Sequence, residues 1–192
     1  MAIALTGGLR QRFIRDSLYN MLHDSLDALG WFDAGRNNAA INMIARAVPE
    51  DEEIPINTLA LSPGDLDAED WEMGSNLAEH TWIFYVDFYG ENDSVATHMI
   101  GDVRDILAGR MPDAGRVRPH VPVYDYRDAT PSVQFYCEID EIIIDRAVDF
   151  PRPWQKHWWV CRFMITDYYG NDDYNGGSPG DDYDVMVDAG DP

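Results

Sequence analysis

The sequence has almost no lysine, and two long segments of it have no basic residue at all. Lys156 is the single lysine among 14 basic residues, which stand against 35 acidic residues for a net charge of −21. Residues 50–93 carry 13 acidic and no basic side chains, and residues 163–192 carry eight acidic and no basic ones. Binding of nucleic acid through its phosphates is therefore excluded, because that mode requires a surface rich in Lys and Arg.

Long apolar runs and signal-peptide features are also lacking. The longest apolar stretches, such as 81–86 and 158–161, have the length of a strand, whereas a membrane span needs about 20 residues. Residues 1–8 are too short and insufficiently apolar for a signal peptide, so we expect the chain in a cytoplasm. Cys137 and Cys161 lie in strand-like runs several residues out of register, which favours two buried thiols over a disulfide.

Patterns of catalytic and metal-binding residues are missing as well. The chain has no Gly-rich phosphate loop, nucleophile elbow or dinucleotide fingerprint. Its five histidines are dispersed, and neither cysteine has a second ligand at zinc spacing. We interpret the pairs Asp87/Glu91 and Asp140/Glu141 as plain surface charge. Residues 171–182 fit a calcium loop only in part and lack flanking helices. We therefore interpret them as part of a solvated acidic tail. The sequence predicts no enzyme, cofactor or metal site.

Hydrophobic periodicity predicts two helices. Between Ile14 and Leu29 apolar residues recur at spacings of three and four, and Gly30 ends this first helix. Residues 94–107 form the second helix, which we expect Asp93 or Ser94 to cap and Gly109 with Pro112 to close.

The sequence pattern predicts strands in five segments, namely 54–61, 81–89, 121–126, 133–147 and 156–167. Pro55 is expected at the start or edge of its strand, and the blurred alternation at 142–144 indicates a bulge. Residues 39–48 are expected to be irregular or a strand, and residues 62–70 an acidic loop. The sum is an α+β fold, with one mostly antiparallel sheet of about five strands and two helices on one face. We expect a single domain over residues 1–169, with an acidic arm at 49–79 and an acidic, Gly/Asp-rich tail at 170–192.

The six tryptophans are more numerous than a core of this size accommodates. Trp158 and Trp159 point to opposite faces of one predicted strand. Either the loops carry an aromatic patch, or the second face or an edge of the sheet is a subunit interface, where Trp and Tyr are enriched. We expect the acidic arm to lean toward arginines of a neighbouring subunit. The candidate interface residues are Trp71, Met73, Arg104, Arg110, Arg116, Arg118, Trp154 and Trp158.

A series of packing and turn motifs runs through most of residues 9–169. In chain order these motifs are Leu29–Phe32, Pro55–Thr58, Glu72–Ser75, Phe84–Glu91, Ser94–Leu107, Pro151–Trp154 and Trp158. Their order resembles the tail terminator (tail-completion) proteins of long-tailed phages that infect actinobacteria, and more distantly the lambda-type terminators. The similarity leaves out the acidic tail and involves no catalytic residues.

The resemblance implies a structural virion protein that forms a six-membered ring in the tail or neck, assembled in the host bacterial cytoplasm. The ring would cap the tail tube and provide the surface that joins the head. The implied partners are further copies of the chain, the tail tube protein and the head–tail stopper or connector protein. DNA would pass through an acidic lumen without specific binding, since like charge prevents adhesion of phosphates.

Three other functions remain open at this stage. A head-completion or connector protein of the neck shares the expected features most closely. An acidic DNA-mimic inhibitor would spread its carboxylates along strands and helices, whereas here they are concentrated in an arm and a tail. A small hydrolase has the least support. The mass in solution, and the ability to join purified tails to heads, would discriminate among these classes.

Overall fold

The computed structural model describes residues 7–33, 41–48, 53–70, 78–110, 120–127, 129–146 and 157–169. These residues confirm the expected α+β class. None of their helices is long and apolar enough to cross a membrane. The elements are α1 (Gly7–Ala28), β1 (Asn42–Ile44), β2 (Thr58–Asp70), β3 (Ala78–Tyr89), α2 (Asp93–Leu107), β4 (His120–Asp125), β5 (Ser132–Arg146) and β6 (Trp158–Tyr169).

The strands form one sheet in the order β1-β2-β3-β6-β5-β4, which curls into a half-barrel. β1 pairs with β2 in parallel, and the other four pairings are antiparallel. The expectation of a mostly antiparallel sheet of about five strands is therefore wrong, because the sheet is mixed and has six strands. β1 lies within residues 39–48, which were expected to be irregular or a strand, because a strand of three residues is too short to show an alternation of side chains.

Alternation along the strands gives the sheet a core face and an outer face. On β3, Trp82, Phe84, Val86 and Phe88 are buried in the hydrophobic core together with Phe163 and its neighbours on β6. Both helices bury their apolar residues in the same cluster, as the sequence analysis expected. Ile83, Tyr85 and Tyr89 have the opposite phase, so they lie on the outer face.

β2 is longer than its sequence predicts. Residues 62–70 were expected to form an acidic loop, but they continue the strand and pair with β3 as far as Asp70, opposite Ala78. A register shift between Pro63 and Leu66 interrupts the pairing. Beyond its three pairs with β1, this part of β2 is the edge of the described sheet. Charged residues are common on edge strands because they oppose pairing with a strand of another chain.

The acidic arm at 49–79 is in part an element of its own subunit. Leu59 and Leu61 are fully buried in the core, whereas the expectation was that the strands of the arm meet a neighbour. Pro55 precedes β2, as expected for a residue without a backbone donor. Trp71 and the predicted tail at 170–192 lie outside the described residues.

Both helices end in the same hydrogen-bonded motif. After α1, the N–H of Gly30 donates to the carbonyl of Asp27 and that of Trp31 to the carbonyl of Leu26. Gly30 has a φ of 79°, a conformation that glycine adopts without strain. α2 repeats this arrangement with Gly109, whose φ is 60°. The stop signals predicted from the two glycines are confirmed.

The start of α2 and the β5–β6 hairpin test two finer predictions. Asn92 caps α2, since its side-chain oxygen accepts a hydrogen bond from the N–H of Val95 at 3.0 Å. The predicted caps are therefore wrong by one or two residues, and Asp93 is the first helical residue. The bulge in β5 is confirmed by a register shift between Ile139 and Ile142. Both cysteines are buried thiols that form no disulfide, as predicted.

Asn57 joins three elements just before β2. Its N–H donates to Tyr89 O at 2.7 Å, and its carbonyl accepts from Asn42 N at 2.9 Å. Its side-chain oxygen accepts from Glu91 N at 2.9 Å. The residue is buried, at 4% exposure, and has a φ of 62°. Asn tolerates this left-handed conformation better than other residues with a β-carbon, so both its side chain and its backbone suit the site.

Replacing Asn57 by Ala should lower the free energy of unfolding by about 2–3 kcal/mol. Loss of the side-chain acceptor leaves a backbone N–H without its partner at about 1–2 kcal/mol, and Ala adds about 1 kcal/mol of strain at positive φ. The matched variant Asn57→Gly removes the same acceptor without the strain, so it should be about 1 kcal/mol more stable than Asn57→Ala. Urea unfolding measures both. Equal stability of the two variants would show that strain at positive φ does not affect the free energy of unfolding at this position.

Candidate interaction surface on the outer face of the sheet

The outer face of the two central strands carries large apolar side chains that point away from the helix layer, and one of them, Tyr89, is buried at 6% exposure. Among the described elements, both helices pack on the core face, and none of them crosses the outer face of β3 and β6. Most of the side chains there are half-buried. We define the outer patch as Ile83, Tyr85, Asp87 and Tyr89 of β3, Trp158, Val160, Arg162 and Met164 of β6, and Glu141, Ile143 and Asp145 of β5.

A carboxylate and two stacked rings lie at the end of this patch where β3 ends and β6 begins. Asp87 is opposite Val160, and Tyr89 is opposite Trp158, in the register of β3 and β6. The indole N–H of Trp158 donates to Asp87 Oδ1 at 2.8 Å. The Tyr89 and Trp158 rings stack with centroids 5.4 Å apart. The three side chains therefore fix one another across the strand pair.

Burial changes the acidity of both titratable groups in this cluster. Desolvation raises the pKa of Asp87 from 3.8 to about 6, against the opposing effect of the Trp158 hydrogen bond. Burial also raises the pKa of Tyr89, and the nearby charge of Asp87 adds to that increase. The phenol is thus neutral at physiological pH, and the carboxylate is ionised at a cost in stability.

The flanks of the outer patch differ in character. Toward β2, the Tyr85 ring packs over Gly64, where a β-carbon would lie 2.5 Å from ring atom Cε2. Toward β5, Arg162 and Glu141 form an exposed ion pair at 3.5 Å. Thr166 donates a hydrogen bond to Asp140 in the same region. The patch thus has an apolar centre with a charged rim on its β5 side.

The structure separates the interface residues predicted from the sequence. Trp158 belongs to the outer patch, whereas Arg104 lies on α2, on the side of the core face. The positive charge of Arg104 opposes the burial that raises the pKa of the Cys161 thiol to about 12. Arg110 follows α2 and is also exposed on the helix side. The other five predicted residues, Trp71, Met73, Arg116, Arg118 and Trp154, lie outside the described residues.

Asp87 is the residue that sequence reasoning missed, because it was interpreted as plain surface charge. One signal was available: Asp87 has the same alternation phase as Ile83, Tyr85 and Tyr89 on a strand that is apolar on both faces. A carboxylate at such a position is shielded by its neighbours, which makes it a candidate for a functional role.

The arrangement has the composition of a binding surface. The part of the chain that the structure describes contains no group of three or more His, Cys, Asp or Glu residues that could hold a metal ion. The outer patch offers the aromatic rings of Tyr85, Tyr89 and Trp158, and Trp and Tyr are among the residues that contribute most at protein interfaces. Comparison with protein-family models and with curated proteins gave no match.

Replacing Asp87 by Asn should stabilise the subunit at neutral pH and have little effect at about pH 4. Because the folded-state pKa of about 6 exceeds the unfolded-state value of 3.8, the folded protein binds more protons between these values. Stability therefore falls as pH rises through that window. The full shift corresponds to about 3 kcal/mol at neutral pH, and we expect a gain of about 1–3 kcal/mol. Asn retains an oxygen that accepts the Trp158 N–H.

Urea unfolding at both pH values measures this effect, and Asp145→Asn is the matched control. Asp145 is exposed on the same face, opposite Val160, so its replacement should change stability by less than about 0.5 kcal/mol. A loss of stability in Asp87→Asn at neutral pH would show that the charge of the carboxylate stabilises the fold.

Proposed function

We propose that this protein is a structural subunit that assembles into a ring, and that the ring is the tail terminator of a long-tailed phage. The ring caps the tail tube and provides the surface that joins the head. The observation that carries the proposal is the outer patch, whose aromatic and aliphatic side chains lie opposite the helix layer. Apolar patches with charged rims characterise surfaces that bind other proteins. The order of sequence motifs supports the terminator in particular.

The distribution of charge supports the same proposal. An assembly through which DNA passes needs a lining to which phosphates do not adhere, and a net charge of −21 on each subunit provides the required repulsion. The acidic side chains of residues 50–70 and 170–192, segments that contain no basic residue, are the natural source of this lining. Contacts between subunits must then come from apolar surface, because the net charge opposes association.

In the proposed assembly the chain has two kinds of partner besides its own copies. One side of the ring contacts the tail tube protein, and the other contacts the stopper or connector protein of the neck. DNA passes between these sides without being bound specifically. The protein acts by contact and not by catalysis, and its place is the tail or neck of the virion.

Association of the purified subunit should strengthen as salt is raised. Six copies carry six times −21, or −126 charges, and raising the ionic strength from about 0.01 M to about 0.15 M shortens the Debye length from about 30 Å to about 8 Å. We expect light scattering to show a shift from 21.8 kDa subunits toward the hexamer. A protein that remains monomeric at every salt and protein concentration would contradict a self-assembling ring.

A joining assay distinguishes a terminator from a neck connector. Tails assembled without a terminator should bind the protein at one end and then become competent to join filled heads. A connector would instead bind to heads before tails are present. Binding to heads alone would therefore replace the terminator by the connector as the function of this chain.

A further inference from the structure

This inference rests on the ring proposed above and concerns how its subunits fit together. A closed ring of identical subunits requires two different surfaces on each copy, so that the first surface of one copy meets the second surface of the next. The outer patch supplies one of them. The second must lie elsewhere on the subunit and complement the shape and charge of the first.

The outer patch has a negative rim. Its charged members are Asp87, Glu141 and Asp145 against Arg162. Glu141 and Arg162 pair with each other at 3.5 Å, with side-chain exposures of 48% and 41%. Asp145 is exposed, and Asp87 is half-buried near the end of the patch. Two such patches from different copies would place like charges together, so a symmetric contact of this face with itself is unfavourable.

A positive patch lies at the C-terminal end of α2. Arg104 Nε is 3.6 Å from Asp105 Oδ1, and Arg110 Nη1 is 3.4 Å from the same oxygen. Two guanidinium groups thus share one carboxylate, which leaves a net charge of +1. The arginine side chains are 49% and 56% exposed. Carbonyl groups at the end of the helix favour cations in this position. We refer to Arg104, Asp105 and Arg110 as the helix-end patch.

The two patches lie on opposite sides of the subunit. α2 packs on the core face, where Ile100, Val103 and Leu107 enter the hydrophobic cluster. The outer patch lies on the other face of the same sheet. Surfaces on opposite sides of a subunit can meet head to tail, and such contacts form a ring when the rotation between successive copies closes.

We propose that the outer patch of one copy binds the helix-end patch of the next copy. Arg104 and Arg110 then face the acidic rim formed by Glu141 and Asp145, while the apolar centre of the outer patch is buried against the neighbour. The apolar centre supplies most of the affinity. The charges set the orientation and prevent the outer patch from binding a second outer patch.

Charge reversal of either patch tests this contact. The helix variant carries Arg104→Glu and Arg110→Glu, and the sheet variant carries Glu141→Arg and Asp145→Arg. Each variant alone places like charges across every contact of the ring, so association measured by light scattering should weaken at least about tenfold. A chain that carries all four substitutions should assemble again.

Mixing the two variants gives a sharper result. In an equal mixture the negative helix end of the helix variant meets the positive rim of the sheet variant, and the positive helix end of the sheet variant meets the negative rim of the helix variant. Rings should therefore form from alternating copies, with equal numbers of the two variants. This rescue also shows that both variants are folded, so their failure to assemble alone cannot result from unfolding.

Arg12→Glu with Arg15→Glu is the matched control. These arginines also share one carboxylate, Asp16, at 3.5 and 2.8 Å, and their reversal changes the net charge by the same amount. The control should assemble like the unaltered protein. The inference is overturned if either patch variant also does so, or if the mixture fails to form rings. These outcomes concern only the contact between the two patches. If the unaltered protein still forms rings and caps tails, the proposed function remains supported.

Discussion

The pairing of β3 with β6 is the constraint on which the other features of this subunit depend. The two strands are in register along twelve residue pairs, from Ala78 opposite Tyr169 to Tyr89 opposite Trp158. Each lies between two further strands, so its backbone groups are paired on both sides. Because side chains alternate between the two faces of a strand, this register determines which of them enter the core. Phe84 and Phe163, stacked with centroids 5.9 Å apart, are both fully buried, and each contributes about 1.5–3 kcal/mol by burial.

The same alternation explains the composition of the outer patch. A shift of one residue in either strand would exchange the two faces, and Asp87 would then point into the hydrophobic core. The register avoids this by burying Val86 and Phe88 and by placing the carboxylate next to the Trp158 indole. The shielded acid is therefore a consequence of strand register in a sheet that is apolar on both faces.

Sequence patterns predicted the elements with strong periodicity, and left undecided or assigned wrongly those without it. The stop at Gly30 and the bulge after Ile139 were recognisable because each interrupts a long regular pattern. β1 has three residues, and the second half of β2 has the composition of a loop. Both are strands because neighbouring backbone groups pair with them, and pairing of this kind does not depend on their side chains. The strand order of the sheet was not predicted for the same reason.

The candidate site was less predictable than the fold. Trp158 was identified from the number of tryptophans, but its contact with Asp87 joins residues 71 positions apart. That contact follows from the adjacency of β3 and β6, which no local pattern indicates. Arg104 and Arg110 were predicted, like Trp158, to be interface residues, but the sequence did not indicate on which surface each of them lies. They lie on the other side of the sheet because α2 covers the core face, and helix periodicity alone does not determine which face of a sheet a helix covers.

The strand order also has a consequence for how the chain becomes a subunit. β2 and β3 are close in sequence, and so are β4 and β5, so each pair can form early from local contacts. β3 and β6 are separated by α2, β4 and β5, and long-range pairings of this kind form late because a large loop must first be closed. Until β6 is inserted, β3 and β5 each have an open edge and an exposed apolar face. Insertion of β6 therefore completes the core face and the outer face of the described sheet in one step. A chain whose synthesis has not reached β6 lacks both the core and the binding surface.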